Sequence, residues 1–271
     1  ELIEVHLRWF EMATTDSERA ARLAAAARVY DERLDDVDNA IRTYQRIVEF
    51  DPTYGPALDA LQRLYERVEQ WDDVVHTICQ KLSVTSDPAA IFELERARGA
   101  LLHKRLHRPE EAITAYANAF EHGSGEAAIE VGYELVDVYS GMSRWGDVIS
   151  VLRSIQSQAT QPDAKADAYC RIGEVYEREL VDRDGAVDAY VRALEADSNH
   201  VATLWALGSL YMGEQQWARA LPMLELLLRH VSPDDEPERA LSLYRKLAVT
   251  AENLLDEDRA LTFYERAYKL D

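Results

Sequence analysis

The sequence predicts an all-α protein built as a solenoid of about seven antiparallel helix-turn-helix repeats. Three observations support this fold class. One helical phrase recurs along the 271 residues, a second phrase alternates with it, and the chain contains only 11 glycines and 8 prolines. Few glycines and prolines are typical of long helices rather than of strands and tight turns. A fixed internal period, in turn, is the signature of a repeat architecture.

The first phrase occurs four times, as AIRTYQRIVEFDP, AITAYANAFEHGS, AVDAYVRALEADS and ALTFYERAYKLD. The alanine near the start of each copy recurs at a nearly constant interval; these alanines are Ala40, Ala112, Ala186 and Ala260. The copies alternate apolar and polar positions with helical spacing. We therefore interpret the phrase as one helix that is repeated four times.

The second phrase lies between these copies and carries a tryptophan, in LYERVEQWDDVVHTI, VYSGMSRWGDVISVL and LYMGEQQWARALPML. Trp71, Trp145 and Trp217 recur at the same interval as the alanines. Because the two phrases alternate, the duplicated unit is a pair of helical hairpins. Half of that unit has the length of one helix-turn-helix repeat.

Short polar junctions separate the hairpin pairs. They begin at Thr14, Thr85, Thr160 and Ser232, and such side chains cap the unpaired first amides of a helix. We therefore interpret 1–271 as a single solenoid. Its predicted segments are the end of a preceding repeat at 1–16 and repeats near 17–52, 53–86, 87–122, 123–160, 161–197, 198–231 and 232–271.

These phrases resemble the tetratricopeptide repeat. The sixth repeat carries Leu207, Gly208 and Tyr211, the fifth carries Gly173 and Tyr190, and the first ends in an Asp-Pro pair. The pattern is similar to that of bacterial-type multi-repeat proteins of this family. The resemblance implies a right-handed superhelical arrangement of the hairpins. Since the last phrase stops where the first one continues with proline, we also expect the chain to be a fragment of a longer array.

The charge composition limits which classes of partner are expected. With 50 acidic and 30 basic side chains, the net charge of −20 repels phosphate backbones and anionic lipid surfaces, so we expect neither nucleic acid nor membrane as a partner. A basic protein or peptide would be attracted instead. Cys79 and Cys170 lie alone in helical patterns, and we expect both to be small core side chains. No signal peptide or membrane-spanning stretch is visible, which favours a cytoplasmic location.

No residue pattern predicts an enzyme. Gly123 and Gly125 fit a turn better than a phosphate-binding loop, and His103 and His107 precede a proline as cations at a helix C-terminus rather than as zinc ligands. We therefore predict no catalytic residues, no metal site and no cofactor.

The resemblance implies a non-catalytic scaffold that binds a partner protein or peptide, basic in character, in a concave groove formed by the first helices. Tyr133 and Trp205 each fall six residues before the tyrosine of their repeat, a position that faces the groove in this family. We expect them to be aromatic anchors for a partner. Glu130, Asp137 and Glu174 are the acidic residues expected near them. The alternative is that both rings are half-buried between neighbouring first helices.

Two other functions remain open. The array could be a structural strut that contacts other subunits through its ends or convex face, or a substrate-presenting module of an enzyme whose catalytic domain lies elsewhere. Either would make it part of a larger complex. Some relatives bind a C-terminal carboxylate through a basic clamp, but the matching positions do not reproduce it: they hold Asp59 and Arg63, Arg96 and Ala100, or Tyr133 and Asp137.

Overall fold

The computed structural model describes residues 1–270, which form helices joined by short turns and contain no strand. The all-α prediction is therefore confirmed. The helices are α1 (Leu2–Met12), α2 (Asp16–Leu34), α3 (Val37–Phe50), α4 (Gly55–Arg67), α5 (Trp71–Val84), α6 (Pro88–Lys104), α7 (Pro109–His122), α8 (Gly125–Gly141), α9 (Trp145–Gln158), α10 (Pro162–Arg178), α11 (Arg183–Ala196), α12 (Val201–Gly213), α13 (Trp217–Leu227), α14 (Pro237–Asn253) and α15 (Glu257–Tyr268).

The chain divides into two compact units, unit 1 (Glu1–Val138) and unit 2 (Tyr139–Asp271). In unit 1, α2 packs on α3, α4 on α5 and α6 on α7 as consecutive hairpins. In unit 2 the corresponding hairpins are α10 with α11, α12 with α13 and α14 with α15. We call α2, α4, α6, α8, α10, α12 and α14 the first helices, and the helix that follows each of them a second helix. The repeat boundaries given above remain a prediction.

The recurring small side chains of the second helices lie in the core. All four alanines of the first phrase are buried, and Val74, Val148 and Ala220 are buried at the corresponding position of the tryptophan phrase. A short side chain lets the two helices of a hairpin approach closely. The repeated alanine is therefore explained by packing.

A tyrosine of the second helix packs against a glycine of the first helix in two of the hairpins. A Cβ atom added to Gly99 would lie 2.7 Å from the ring of Tyr116, and one added to Gly173 would lie 2.5 Å from the ring of Tyr190. Both rings are almost completely buried. Each glycine is thus required by the close approach of an aromatic ring rather than by backbone conformation.

The turn between the two helices of each hairpin contains one residue other than glycine in the left-handed region. These residues are Asp35, Glu69, His107, Ser143, Val181, Gln215 and Leu255, with φ between 53° and 60°. That conformation costs a residue with a Cβ atom roughly 1 kcal/mol or more. Val181 is an extreme case because its side chain is β-branched and 74% exposed, so no burial offsets the strain.

The prediction for the two cysteines is half wrong. Cys170 is buried in the core of unit 2, and this burial raises the pKa of its thiol to about 11. Cys79 is exposed, and the Arg98 guanidinium lies 3.7 Å from its sulfur atom. The sequence pattern failed here because Cys79 directly follows the buried Ile78, which places it one position outside the apolar stripe of α5.

We expect Gly173→Ala to destabilise unit 2. The added methyl group must displace the ring of Tyr190, which costs about 1 to 3 kcal/mol. This exceeds the roughly 1 kcal/mol that alanine gains over glycine inside a helix. Gly213→Ala is the matched control, because a Cβ atom there meets nothing within 4 Å. Chemical denaturation should show a loss for the first variant and none for the second; equal stability would contradict the packing argument.

We expect Val181→Gly to stabilise the protein by about 1 kcal/mol, since glycine adopts the left-handed conformation without strain. The valine side chain is largely exposed, so little packing is lost. The midpoint of denaturant unfolding measures the effect. A lower midpoint would show that the turn is not strained.

Candidate functional site

In unit 1 the predicted site residues lie on one face of α8. Glu130, Tyr133 and Asp137 are spaced by three and four residues, which places them on the same side of a helix. Tyr133 is half-buried, whereas Glu130 and Asp137 are exposed. We call these three residues the α8 stripe. It combines an aromatic ring with carboxylates on a first helix, as the sequence predicts.

Ion pairs connect this region of α8 to the preceding first helix, α6. Arg96 lies 3.3 Å from Glu130, and Lys104 lies 3.1 Å from Glu134. All four side chains are at least one third exposed, so each pair contributes little to stability. The charge of Glu130 is already compensated by Arg96. Asp137 is the other exposed carboxylate of the stripe.

The second helix α7 also contacts Glu134 of α8. The Tyr116 hydroxyl donates a hydrogen bond of 3.5 Å to Glu134. Burial, followed by the charge of Glu134 and this hydrogen bond, raises the pKa of Tyr116. The phenol therefore stays protonated and neutral at physiological pH, and the surface around it keeps its acidic character.

In unit 2, Trp205 is half-buried on α12 and packs against the hydrophobic core of that unit. Two cations of the next first helix, α14, lie over its ring: the Lys246 ammonium nitrogen is 5.4 Å and the Arg239 guanidinium carbon 5.7 Å from the ring centroid. Lys246 also donates a hydrogen bond of 2.5 Å to the Ser209 hydroxyl, and burial lowers its pKa. The indole nitrogen of Trp205 is buried as well.

These contacts explain how the Trp205 ring is held. Cations next to an aromatic ring attract its π-electrons, so Lys246 and Arg239 stabilise the Trp205 ring in place. Arg239 is also paired with Glu236 at 3.2 Å. The third acidic residue of the predicted site, Glu174, lies on α10 and forms an ion pair of 3.9 Å with Arg178 of the same helix. Carboxylates thus lie on the same helix face as Tyr133, whereas two cations lie over the ring of Trp205.

Sequence reasoning missed two buried acids, Asp31 and Glu95. Asp31 is only 5% exposed, and both Arg63 and Arg67 of α4 pair with its carboxylate. The signal was present, since Asp31 continues the four-residue spacing of the buried Leu23 and Ala27 on α2. A buried carboxylate requires paired donors. The contact links α2 to α4, and it engages Arg63, one of the positions compared above with the carboxylate clamp.

Two negative findings apply to residues 1–270. No group of three or more His, Cys, Asp or Glu side chains is arranged to hold a metal ion. None of the helices combines the length and the apolar character needed to cross a membrane.

Comparison with known proteins identifies two segments by family. Residues 25–54 match one family model described as tetratricopeptide repeat, and residues 166–200 match another with the same description. One match lies in each unit. No curated protein matches the sequence.

Solved structures extend the likeness to most of the chain. The C-terminal part of a TPR repeat-containing protein from Cytophaga hutchinsonii is 15% identical, with a TM-score of 0.57, and covers 90% of this chain and 95% of its own. At this identity the likeness shows the fold alone. A tetratricopeptide repeat protein from Parabacteroides merdae is 12% identical over 93% of both chains, with a TM-score of 0.40. YrrB, a TPR protein with an unusual peptide-binding site, is 18% identical over 75% of this chain and 98% of its own, with a TM-score of 0.41.

We expect Trp205→Ala to lower the free energy of unfolding by about 2 to 3 kcal/mol, somewhat less than the truncation of a fully buried aromatic residue. The ring contacts the core of unit 2 and the two cations of α14. Trp205→Phe should retain most of this stability, because it keeps an aromatic ring in place. If Trp205→Ala melts like the unmodified chain, the ring is an exposed anchor rather than a packing residue.

Proposed function

The chain is a tetratricopeptide-repeat protein, and from this we propose that it is a non-catalytic scaffold that binds a partner protein or peptide on the surface of its first helices. The observation that carries this proposal is the α8 stripe. A half-buried ring flanked by exposed carboxylates lies on one side of α8, and the family resemblance implies that this side faces the groove. The repeat fold itself points to protein–protein interaction.

The chemistry of the stripe favours a basic segment with an apolar residue. Tyrosine provides a large contact area at a small cost in conformational entropy. Asp137 is exposed on the same face and provides a negative charge for a lysine or arginine. The net charge of −20 adds a long-range attraction that accelerates the encounter with a basic partner. The cations over Trp205 do not favour a basic segment in that part of unit 2.

The second candidate is a structural strut that contacts other subunits through its end helices. α1 exposes Leu2, Val5 and Trp9 at helical spacing, and α15 exposes Leu261, Tyr264 and Tyr268 in the same way. An exposed apolar stripe favours contact with another surface. A structural subunit would use these end helices, whereas a peptide-binding scaffold would use its first helices. Substitution of each surface separates the two functions.

We expect Tyr133→Ala and Asp137→Lys to reduce the capture of partner proteins by the immobilised chain while leaving its melting temperature nearly unchanged. Loss of the ring removes the apolar anchor, and charge reversal at Asp137 replaces attraction by repulsion. Capture from a lysate at low and at high salt, quantified by mass spectrometry, measures both effects. Proteins that are retained through the stripe should be basic and should be lost at high salt.

Glu121→Lys is the matched control, because it makes the same charge change on the exposed surface of a second helix, α7. If Glu121→Lys reduces capture as much as Asp137→Lys does, net charge and not the stripe determines binding. If both stripe variants capture the same proteins as the unmodified chain, partner binding on α8 is ruled out. Self-association that disappears on Leu261→Gln would favour the strut.

A further inference from the structure

A groove in unit 2 lies between two successive second helices, α11 and α13, on the side of the hairpins away from the exposed face of the first helices. Its volume is about 720 Å³, and its floor is formed by Leu207 and Tyr211 of α12. Val191 of α11 and Met223 of α13 lie on opposite walls. Val191 is 39% exposed. The groove is therefore open and largely apolar, with the guanidinium carbon of Arg219 5.7 Å from the ring centroid of Tyr211.

Unit 1 contains a groove of the same construction between α3 and α5. Its floor is formed by Leu61 and Tyr65, which precede Leu207 and Tyr211 by the same offset, since 207 − 61 and 211 − 65 both equal 146. α3 and α4 have this offset from α11 and α12 at both ends, and α5 has it from α13 at its start. The two grooves thus occupy equivalent positions in the repeat, which makes their walls directly comparable.

The walls of these grooves differ in chemistry. In unit 1 the wall residues at the equivalent positions are Gln45, His76 and Thr77, and that groove has a volume of about 470 Å³. In unit 2 they are Val191, Pro222 and Met223. The three polar wall residues of the unit 1 groove thus correspond to three apolar residues in the unit 2 groove. The floor of each groove consists of a leucine and a tyrosine.

Another groove in unit 2, between α9 and α11, is also polar. Gln156, Lys165, Asp188 and Arg192 contribute to it, and its volume is about 460 Å³. The repeat fold alone therefore does not make a groove between second helices apolar. The apolar wall at α11 and α13 is a property of these particular side chains, and it exposes apolar area that the fold does not require.

We propose that the α11–α13 groove is a docking site for a short amphipathic helix of a partner protein, with apolar residues at positions i, i+3 and i+7. The wall residues of α11 extend from Val187 to Glu195, a length of about 12 Å at 1.5 Å per residue, which matches roughly two turns of a guest helix. Apolar side chains at this spacing fill a groove between parallel walls. This site is on the second helices and does not depend on the function proposed for the first helices.

The charges at the two ends of the groove define the partner further. Arg219 lies near the start of α13, and Glu195 lies near the end of α11. Because α11 and α13 are both second helices and run in the same direction, these residues lie at opposite ends of the groove. The guest helix therefore carries a basic residue at the Glu195 end and an acidic residue at the Arg219 end. A second copy of the chain is disfavoured as the occupant, since two molecules of charge −20 repel each other.

The test uses the full chain and a fluorescein-labelled, Ala-rich helical peptide with leucines at i, i+3 and i+7, a lysine at one end and a glutamate at the other. Fluorescence anisotropy should show saturable binding. The triple substitution Val191→Gln, Pro222→His and Met223→Thr introduces the residues of the equivalent groove in unit 1. It should weaken binding about tenfold or more, because the guest loses its apolar contacts. Glu195→Lys should weaken it about two- to fivefold, as expected for an exposed ion pair.

Leu261→Gln is the matched control, because it replaces an exposed apolar residue of unit 2 outside the groove. It should leave peptide binding unchanged. Circular dichroism checks that the triple variant is folded; if it is not, Met223→Thr alone should weaken binding severalfold. The proposal is overturned if no peptide binds, if the groove variants bind like the unmodified chain, or if Leu261→Gln weakens binding equally. It is also overturned if sedimentation shows that the groove joins two copies of the chain.

Discussion

In two of the long hairpins a tyrosine of the second helix lies directly over a glycine of the first, and this close contact sets the distance between the two helices. Gly99 accepts the ring of Tyr116, and Gly173 accepts the ring of Tyr190. The tyrosine hydroxyl then reaches a carboxylate of a first helix, as in the 2.7 Å hydrogen bond from Tyr190 to Glu177. The positions of the exposed side chains on the first helices follow from this packing, since a wider hairpin would move them apart.

The fold could be predicted because its determinants repeat. Alanines and tryptophans that recur at one nearly constant interval fix the period, and the period alone identifies alternating helical hairpins. The site could be predicted only in part. The stripe of Glu130, Tyr133 and Asp137 follows from helical spacing within α8, which a sequence displays directly.

The surroundings of Trp205 could not be predicted in this way. They depend on Lys246 and Arg239 of α14, which belongs to the next hairpin along the chain, and no period specifies which exposed side chains of neighbouring hairpins meet. The buried Asp31 is a similar case, because the desolvation cost of burying its carboxylate is offset by Arg63 and Arg67 of another helix. Local pattern thus predicts which face a residue occupies. Local pattern does not predict which charged side chains of neighbouring helices lie next to that residue.

The connections between neighbouring hairpins are short-range along the chain. The polar contacts of Asp31 with Arg63 and of Ser209 with Lys246 each join a first helix to the first helix of the very next hairpin. A hairpin can therefore form its native contacts soon after the next one leaves the ribosome, without waiting for the distant end of the polypeptide. Since no long loop must close first, synthesis from the N-terminus and folding can proceed in step. The core-facing surface of α11, which includes Ala186 and Tyr190, then meets solvent only until α12 and α13 have been made, whereas Val191 on its groove wall stays exposed in the complete protein.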